Sequence, residues 1–67
     1  MWTRRERDDY LSQTAAFLAA QFHLSDREAY RLIREAGLKQ NLLEDPQETT
    51  LLSPKAQAEK VFRKSQH

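Results

Sequence analysis

Three arginines and one tyrosine near the middle of the chain have a spacing at which they could act together on a polyanion. Arg27, Tyr30, Arg31 and Arg34 lie at positions i, i+3, i+4 and i+7. On an α-helix, residues at this spacing share one face. Guanidinium groups bind phosphate oxygens and base edges through hydrogen bonds, and an aromatic ring lies between them here. The stripe therefore predicts contacts with double-stranded DNA.

The same arginines would form an ordinary solvated face if neighbouring carboxylates neutralise them. Arg31 can pair with Glu35, and Arg27 can pair with Asp26 or Glu28. Two of these acids also have structural explanations, because Glu28 fits a capping box and Asp26 lies at the positive end of a helix dipole. They would still repel phosphate, so both interpretations stay open.

Capping residues and apolar periodicity together predict three helices. Three hydroxyl residues stand where an N-cap is needed: Thr3, Ser25 and Ser53. The first two have glutamate three residues later, which completes a capping box, and the third precedes a proline that suits the first helical position. Gly37, the only glycine, can end a helix with a positive φ. The predicted helices span residues 4–22, 26–36 and 54–64 of one domain, 1–67.

The apolar residues of these helices fall on one face each and form the predicted core. The first helix supplies Leu11, Ala15, Leu18 and Phe22, widened by Tyr10, Thr14 and Phe17. The second supplies Ala29, Leu32, Ile33 and Ala36, and the third supplies Ala58, Val61 and Phe62. The fold class is therefore mainly α.

Residues 38–52, LKQNLLEDPQETTLL, allow two structures. Leu38, Leu42 and Leu43 could form a short helix that ends at Asp45-Pro46 and is followed by an extended stretch, which we favour. Alternatively, residues 40–43 and 49–52 could pair as a small β wing around EDPQE, since the β-branched pair Thr49-Thr50 favours extended structure.

The corner between the first two helices has the pattern of a DNA-reading helix-turn-helix. Such a corner needs a small residue in the first helix, an apolar turn residue, a cap and apolar docking positions in the second helix. The matching residues are Ala19, Leu24, Ser25, Ala29 and Leu32 with Ile33. His23 stands where glycine is usual, and histidine can adopt a left-handed conformation at some cost. Any two helices that cross at a capped turn would show the same features.

The segment HLSDREAYRLIREAGL and the later LLSPKAQAEKVFRKS resemble an excisionase-type winged helix-turn-helix of the mercury-regulator superfamily. The similarity covers residues 14–65. It implies DNA contacts by Ser25, Arg27, Tyr30, Arg31 and Arg34. The basic residues of the last helix, Lys55, Lys60, Arg63 and Lys64, are predicted to add flanking phosphate contacts. The wing of that family is commonly rich in Gly and Arg, whereas EDPQE is acidic and has no glycine.

The first half, FLAAQFHLSDREAYRLIREAGL, is also similar to small helical bacterial proteins encoded beside toxins. That similarity implies an antitoxin-like or adaptor protein, with a protein partner in place of DNA. The predicted interface would be an apolar strip of Phe17, Leu42, Leu43, Leu51 and Leu52, offered to a partner or to a second copy in a homodimer.

The composition of the chain bears on which classes of function remain. The chain has 67 residues, no cysteine and a net charge of +1, a weaker basic excess than dedicated nucleic-acid binders usually show. His23 and His67 are far apart, and no catalytic set or glycine-rich phosphate loop is visible. We expect no enzyme, no metal and no cofactor. No secretory signal or bilayer-spanning run is present either, so we expect a cytoplasmic protein without a membrane partner.

Overall fold

A computed structural model describes residues 3–65, which form five helices and no strand. The helices are α1 (Arg4–Phe22), α2 (Asp26–Ala36), α3 (Leu38–Glu44), α4 (Pro46–Thr49) and α5 (Pro54–Ser65). The mainly α fold class is confirmed. The bounds of α1 and α2 agree with those predicted, and α5 is one residue longer. His67 lies outside the described residues.

The starts of α1, α2 and α5 are capped by the predicted hydroxyl residues. The hydroxyl oxygens of Thr3 and Ser25 each accept the backbone N–H of the glutamate three residues later, at 3.2 Å. The Ser53 hydroxyl accepts the N–H of Ala56 at 3.3 Å. Each bond satisfies an N–H that has no partner within its helix.

Three helices, α1, α2 and α5, pack against one another around the core. The buried apolar residues are Tyr10, Leu11, Ala15, Leu18, Ala29, Ile33, Leu38, Leu42, Ala58 and Val61. The ring of Phe22 at the end of α1 stacks on Phe62 near the end of α5, with the two centroids 3.8 Å apart. Near the start of α1, the Tyr10 hydroxyl donates to the carbonyl of Leu52 just before α5. These two contacts show that α1 and α5 run in the same direction.

The favoured short helix is confirmed as α3, which ends before Asp45-Pro46 as predicted, whereas the alternative wing and the extended stretch after the short helix are wrong. Residues 38–52 form α3, α4 and a turn. Pro46 starts α4 because its fixed φ suits the first helical position. The hydroxyls of Thr49 and Thr50 donate to the carbonyls four residues earlier, at 2.8 and 2.7 Å, a spacing that occurs in a helical turn and not in a strand.

The prediction that Leu42 belongs to an exposed apolar strip is wrong. Its side chain is 1% exposed and belongs to the core, because α3 turns this residue inward while Leu43 remains 51% exposed.

Within residues 3–65, no helix is long and apolar enough to cross a membrane.

Candidate nucleic-acid interface

The corner between α1 and α2 is closed by a residue in the left-handed conformation. His23 has φ 55° and ψ 46° and is the one residue other than glycine with a positive φ in the described chain. The N–H groups of His23 and Leu24 both bond to the carbonyl of Ala19, the latter at 3.1 Å. The bond from Leu24 is the six-to-one bond of a Schellman-type helix end. The predicted conformation of His23 is confirmed.

Ser25 begins α2 and holds its first turn. Its hydroxyl accepts the N–H of Glu28 at 3.2 Å and donates to the Glu28 carboxylate at 3.4 Å. The hydroxyl predicted to face DNA therefore already has partners within the chain. A phosphate could receive its hydrogen only if the bond to the Glu28 side chain opens.

The two faces of α2 differ sharply. Ala29 and Ile33 are buried against the core, and Leu32 and Ala36 are half-buried. The opposite face is exposed and carries Arg27, Tyr30, Arg31 and Arg34, with Tyr30 45% exposed. The fold therefore brings the four predicted residues onto one free surface at the second helix of the corner.

These guanidiniums are only weakly neutralised. The Nε atom of Arg31 lies 3.6 Å from Oε1 of Glu35, and both side chains are more than half exposed. Exposed pairs of this kind contribute about 0–1 kcal/mol. It is the one ion pair within residues 3–65, so Arg27 does not pair with Asp26 or Glu28.

The four basic residues of α5 have different neighbours and do not form one continuous basic surface. Lys60 and Lys64 line a cleft of about 270 Å³ together with three carboxylates, those of Glu44, Asp45 and Glu48. The Nζ atom of Lys64 also donates to the carbonyl of Ala36 at 3.3 Å, at the end of α2. Arg63 lies beside Phe22 and Phe62, and Lys55 is exposed in the first turn of α5.

A polar cluster around Tyr10 was not expected from the sequence. The Tyr10 hydroxyl donates to the carbonyl of Leu52 at 2.8 Å, and Nε2 of Gln57 donates to the carbonyl of Thr49 at 3.3 Å. Burial raises the pKa of Tyr10, and the hydrogen bond with Gln57 partly opposes that rise. Gln57 is buried although it is polar. A glutamine in an amphipathic pattern looks like a surface residue, so no local signal marks it.

A second basic surface forms near the start of α1. Arg4, Arg7 and Lys39 surround a groove of about 240 Å³, which Asp8 also lines and whose apolar lining is Leu11, Leu42 and Leu43. The cations belong to two helices that only the tertiary fold brings together, so sequence spacing could not reveal them. No group of three potential metal-ligating side chains occurs within residues 3–65.

Comparisons with protein-family models, curated proteins and solved structures found no significant match. The two resemblances stated above therefore remain predictions. Any functional conclusion rests on the surfaces of this chain alone.

Proposed function

We propose that the protein binds double-stranded DNA through the exposed face of α2. The observation that carries the proposal is the stripe of Arg27, Tyr30, Arg31 and Arg34, which lies opposite the buried face of the second helix of a capped corner. The major groove admits an α-helix, and guanidiniums on its outer face can reach phosphates and base edges.

The absence of a wing within residues 3–65 limits how the duplex would be held. Contacts would come from α2 itself, with Lys55 and Arg63 of α5 as flanking cations. Lys60 and Lys64 contribute less, because three carboxylates line the same cleft and oppose the approach of phosphate. The protein is then a small regulatory or accessory binder with strongly salt-dependent affinity.

The test is an NMR titration of labelled protein with a mixed-sequence duplex at low and at moderate salt. The proposal expects amide shifts clustered on residues 27–34 that fade as salt rises. Arg31→Ala and Arg34→Ala should each weaken binding and lower the slope of log affinity against log salt by about 1. Arg5→Ala, which removes an exposed arginine in the first turn of α1, is the matched control and should leave the affinity unchanged.

If the amides of α2 do not move at low salt, DNA binding through this face is wrong. Equal losses in Arg5→Ala and Arg34→Ala would also contradict it, because they would show attraction to net charge without a defined surface. Amide spectra of each variant without DNA verify that the fold is intact.

As a second candidate function, we propose that the protein binds a protein partner. A specific observation favours it: Leu51 is 81% exposed, and Leu43, Leu52 and Phe17 are exposed as well. A point variant locates the surface that the partner would contact. Leu51→Ser should abolish partner binding and leave any DNA-induced shifts on α2 unchanged.

A further inference from the structure

One surface of the molecule combines an apolar groove with positive charge. Leu43, which is 51% exposed, is its accessible apolar residue beside the nearly buried Leu11 and Leu42, and Arg4, Arg7 and Lys39 also line it. None of these three cations forms an ion pair within residues 3–65. The single acid at the groove, Asp8, leaves a clear positive excess. A ligand that fits this groove carries an apolar side chain among carboxylates.

The chain itself contains a segment with that chemistry. Residues 44–52 carry Glu44, Asp45 and Glu48 and no cation of their own. Lys60 and Lys64 line the same cleft, so the three carboxylates exceed the neighbouring cations by one. The next-to-last residue of the segment is Leu51, whose side chain is 81% exposed. The backbone is fixed behind it, because the carbonyl of Leu52 accepts the Tyr10 hydroxyl at 2.8 Å and the N–H of Leu51 donates to the carbonyl of Glu48 at 3.2 Å. The leucine therefore projects from a hydrogen-bonded turn that carries acidic side chains.

Both features lie along the same part of α1. Tyr10 holds the acidic turn, and the next residue, Leu11, lines the groove. When complementary features lie side by side, a two-fold axis can match each with its counterpart in another copy. The groove of each copy then contacts the acidic turn of the other, so the same contact forms twice in one closed dimer.

We infer that a second copy of this chain docks on this surface, with Leu51 of each copy in the cationic groove of the other. A specific interface buries about 800 Å² per partner, which is about one sixth of the 5013 Å² surface of the chain. The inference specifies the partner in the second candidate function. It does not depend on DNA binding, since it uses none of the α2 stripe.

The test exchanges charge between the two features. In the groove variant, Arg7→Glu and Lys39→Glu, an acidic groove faces an acidic turn in every self-pairing. In the turn variant, Asp45→Lys and Glu48→Lys, a basic groove faces a basic turn. A mixture of the two pairs opposite charges at both contacts. Sedimentation equilibrium of each variant and of the mixture, from micromolar to millimolar protein at low salt, measures the association.

The inference expects dimeric wild-type protein, two monomeric variants and a dimer restored in the mixture. Leu51→Ser should weaken the dimer at least tenfold, whereas Tyr30→Ser, a matched exposed side chain on α2, should not. Arg63→Glu, at the Phe22–Phe62 end, controls for net charge and should leave the dimer intact.

A wild-type chain that stays monomeric at millimolar concentration would overturn the inference, and so would two variants that fail to associate when mixed. A dimer lost in Tyr30→Ser but retained in Leu51→Ser would place the interface elsewhere and also overturn it. Because no DNA is present, these outcomes are independent of the DNA titration. Arg31→Ala and Arg34→Ala should sediment as the wild-type protein does.

Discussion

At the residue scale, His23 ends α1 in a strained left-handed conformation. A residue with a Cβ atom costs about 1–2 kcal/mol in the left-handed region, and His23 holds φ 55° there. Its side chain is exposed, so removing it loses little packing. We expect His23→Gly to raise the free energy of unfolding by about 0.5–1 kcal/mol, the relief of strain being reduced by the greater flexibility of unfolded glycine.

Denaturant unfolding of His23→Gly beside His23→Val measures this effect. Valine is β-branched and tolerates a positive φ worse than histidine, so the second variant should be less stable than the wild type. Equal stability of the two variants would show that the corner relaxes to another conformation.

Tyr10 should make the free energy of unfolding decrease as the pH rises in the alkaline range. Burial raises the pKa of its phenol above the ordinary value of 10.0, so folding favours the protonated form. This contribution is fully present below pH 10 and is lost as the pH rises through the higher pKa of the folded state. The stability of the wild-type protein should therefore fall above pH 10 more steeply than that of Tyr10→Phe.

Chemical unfolding between pH 8 and pH 11 tests the effect of Tyr10. Tyr30→Phe is the matched control, because the Tyr30 side chain is 45% exposed and lies outside the core. At pH 8, Tyr10→Phe should itself cost about 1–2 kcal/mol, since the carbonyls of Leu52 and Thr49 lose a donor. Parallel pH profiles for wild type and Tyr10→Phe would contradict this role.

At the element scale, Gly37 joins two helices without a linker. Its φ of 73° ends α2, and its own carbonyl accepts the N–H of Asn41 in α3 at 3.0 Å. A Cβ atom at this position would meet nothing within 4 Å, so only backbone strain opposes a side chain. We expect Gly37→Ala to cost about 1 kcal/mol and Gly37→Asn to cost less, because asparagine tolerates this region.

Thermal unfolding of the two Gly37 variants, followed by circular dichroism, would give that order. A much larger loss in alanine would mean that the side chain clashes after all. A loss of equal size in asparagine would mean that strain at φ is not the cause.

The elements that could be predicted from the sequence are those with local signals at both ends. α1 lies between Thr3 and His23, and α2 lies between Ser25 and Gly37. In residues 38–52 the end of α3 at Asp45-Pro46 could be predicted, but α4 could not, because the β-branched pair Thr49-Thr50 favours extended structure. In the structure their hydroxyls donate to the carbonyls of Asp45 and Pro46, four residues earlier, as residues in a helical turn do.

The candidate surfaces divide in the same way. The stripe on α2 could be predicted because helical spacing alone groups its four residues. The groove around Leu43 and the cluster around Tyr10 could not, because each joins residues from distant parts of the chain. The burial of Leu42 and the exposure of Leu43 depend on how α3 rests on the core, which periodicity over so short a helix does not determine.

At the scale of the whole molecule, a core this small has little stability to lose. Natural domains have a free energy of unfolding of roughly 0.05–0.15 kcal/mol per residue, which gives about 3–10 kcal/mol for a chain of this length. Leu18 is fully buried, and truncating a buried leucine to alanine costs about 2–5 kcal/mol. We expect Leu18→Ala to be largely unfolded, or to melt near room temperature.

Leu51→Ala removes the same atoms from an exposed site and should change the stability of the monomer by less than about 0.5 kcal/mol. If the inferred dimer forms, however, the melting temperature of the wild-type chain should rise with protein concentration, because association stabilises the folded state by mass action. Leu51→Ala should then melt at the same temperature as the wild type in dilute solution and below it in concentrated solution. Calorimetry at micromolar and millimolar protein distinguishes the two roles of a leucine: a core leucine such as Leu18 acts at every concentration, whereas Leu51 acts only where a second copy is present to cover it.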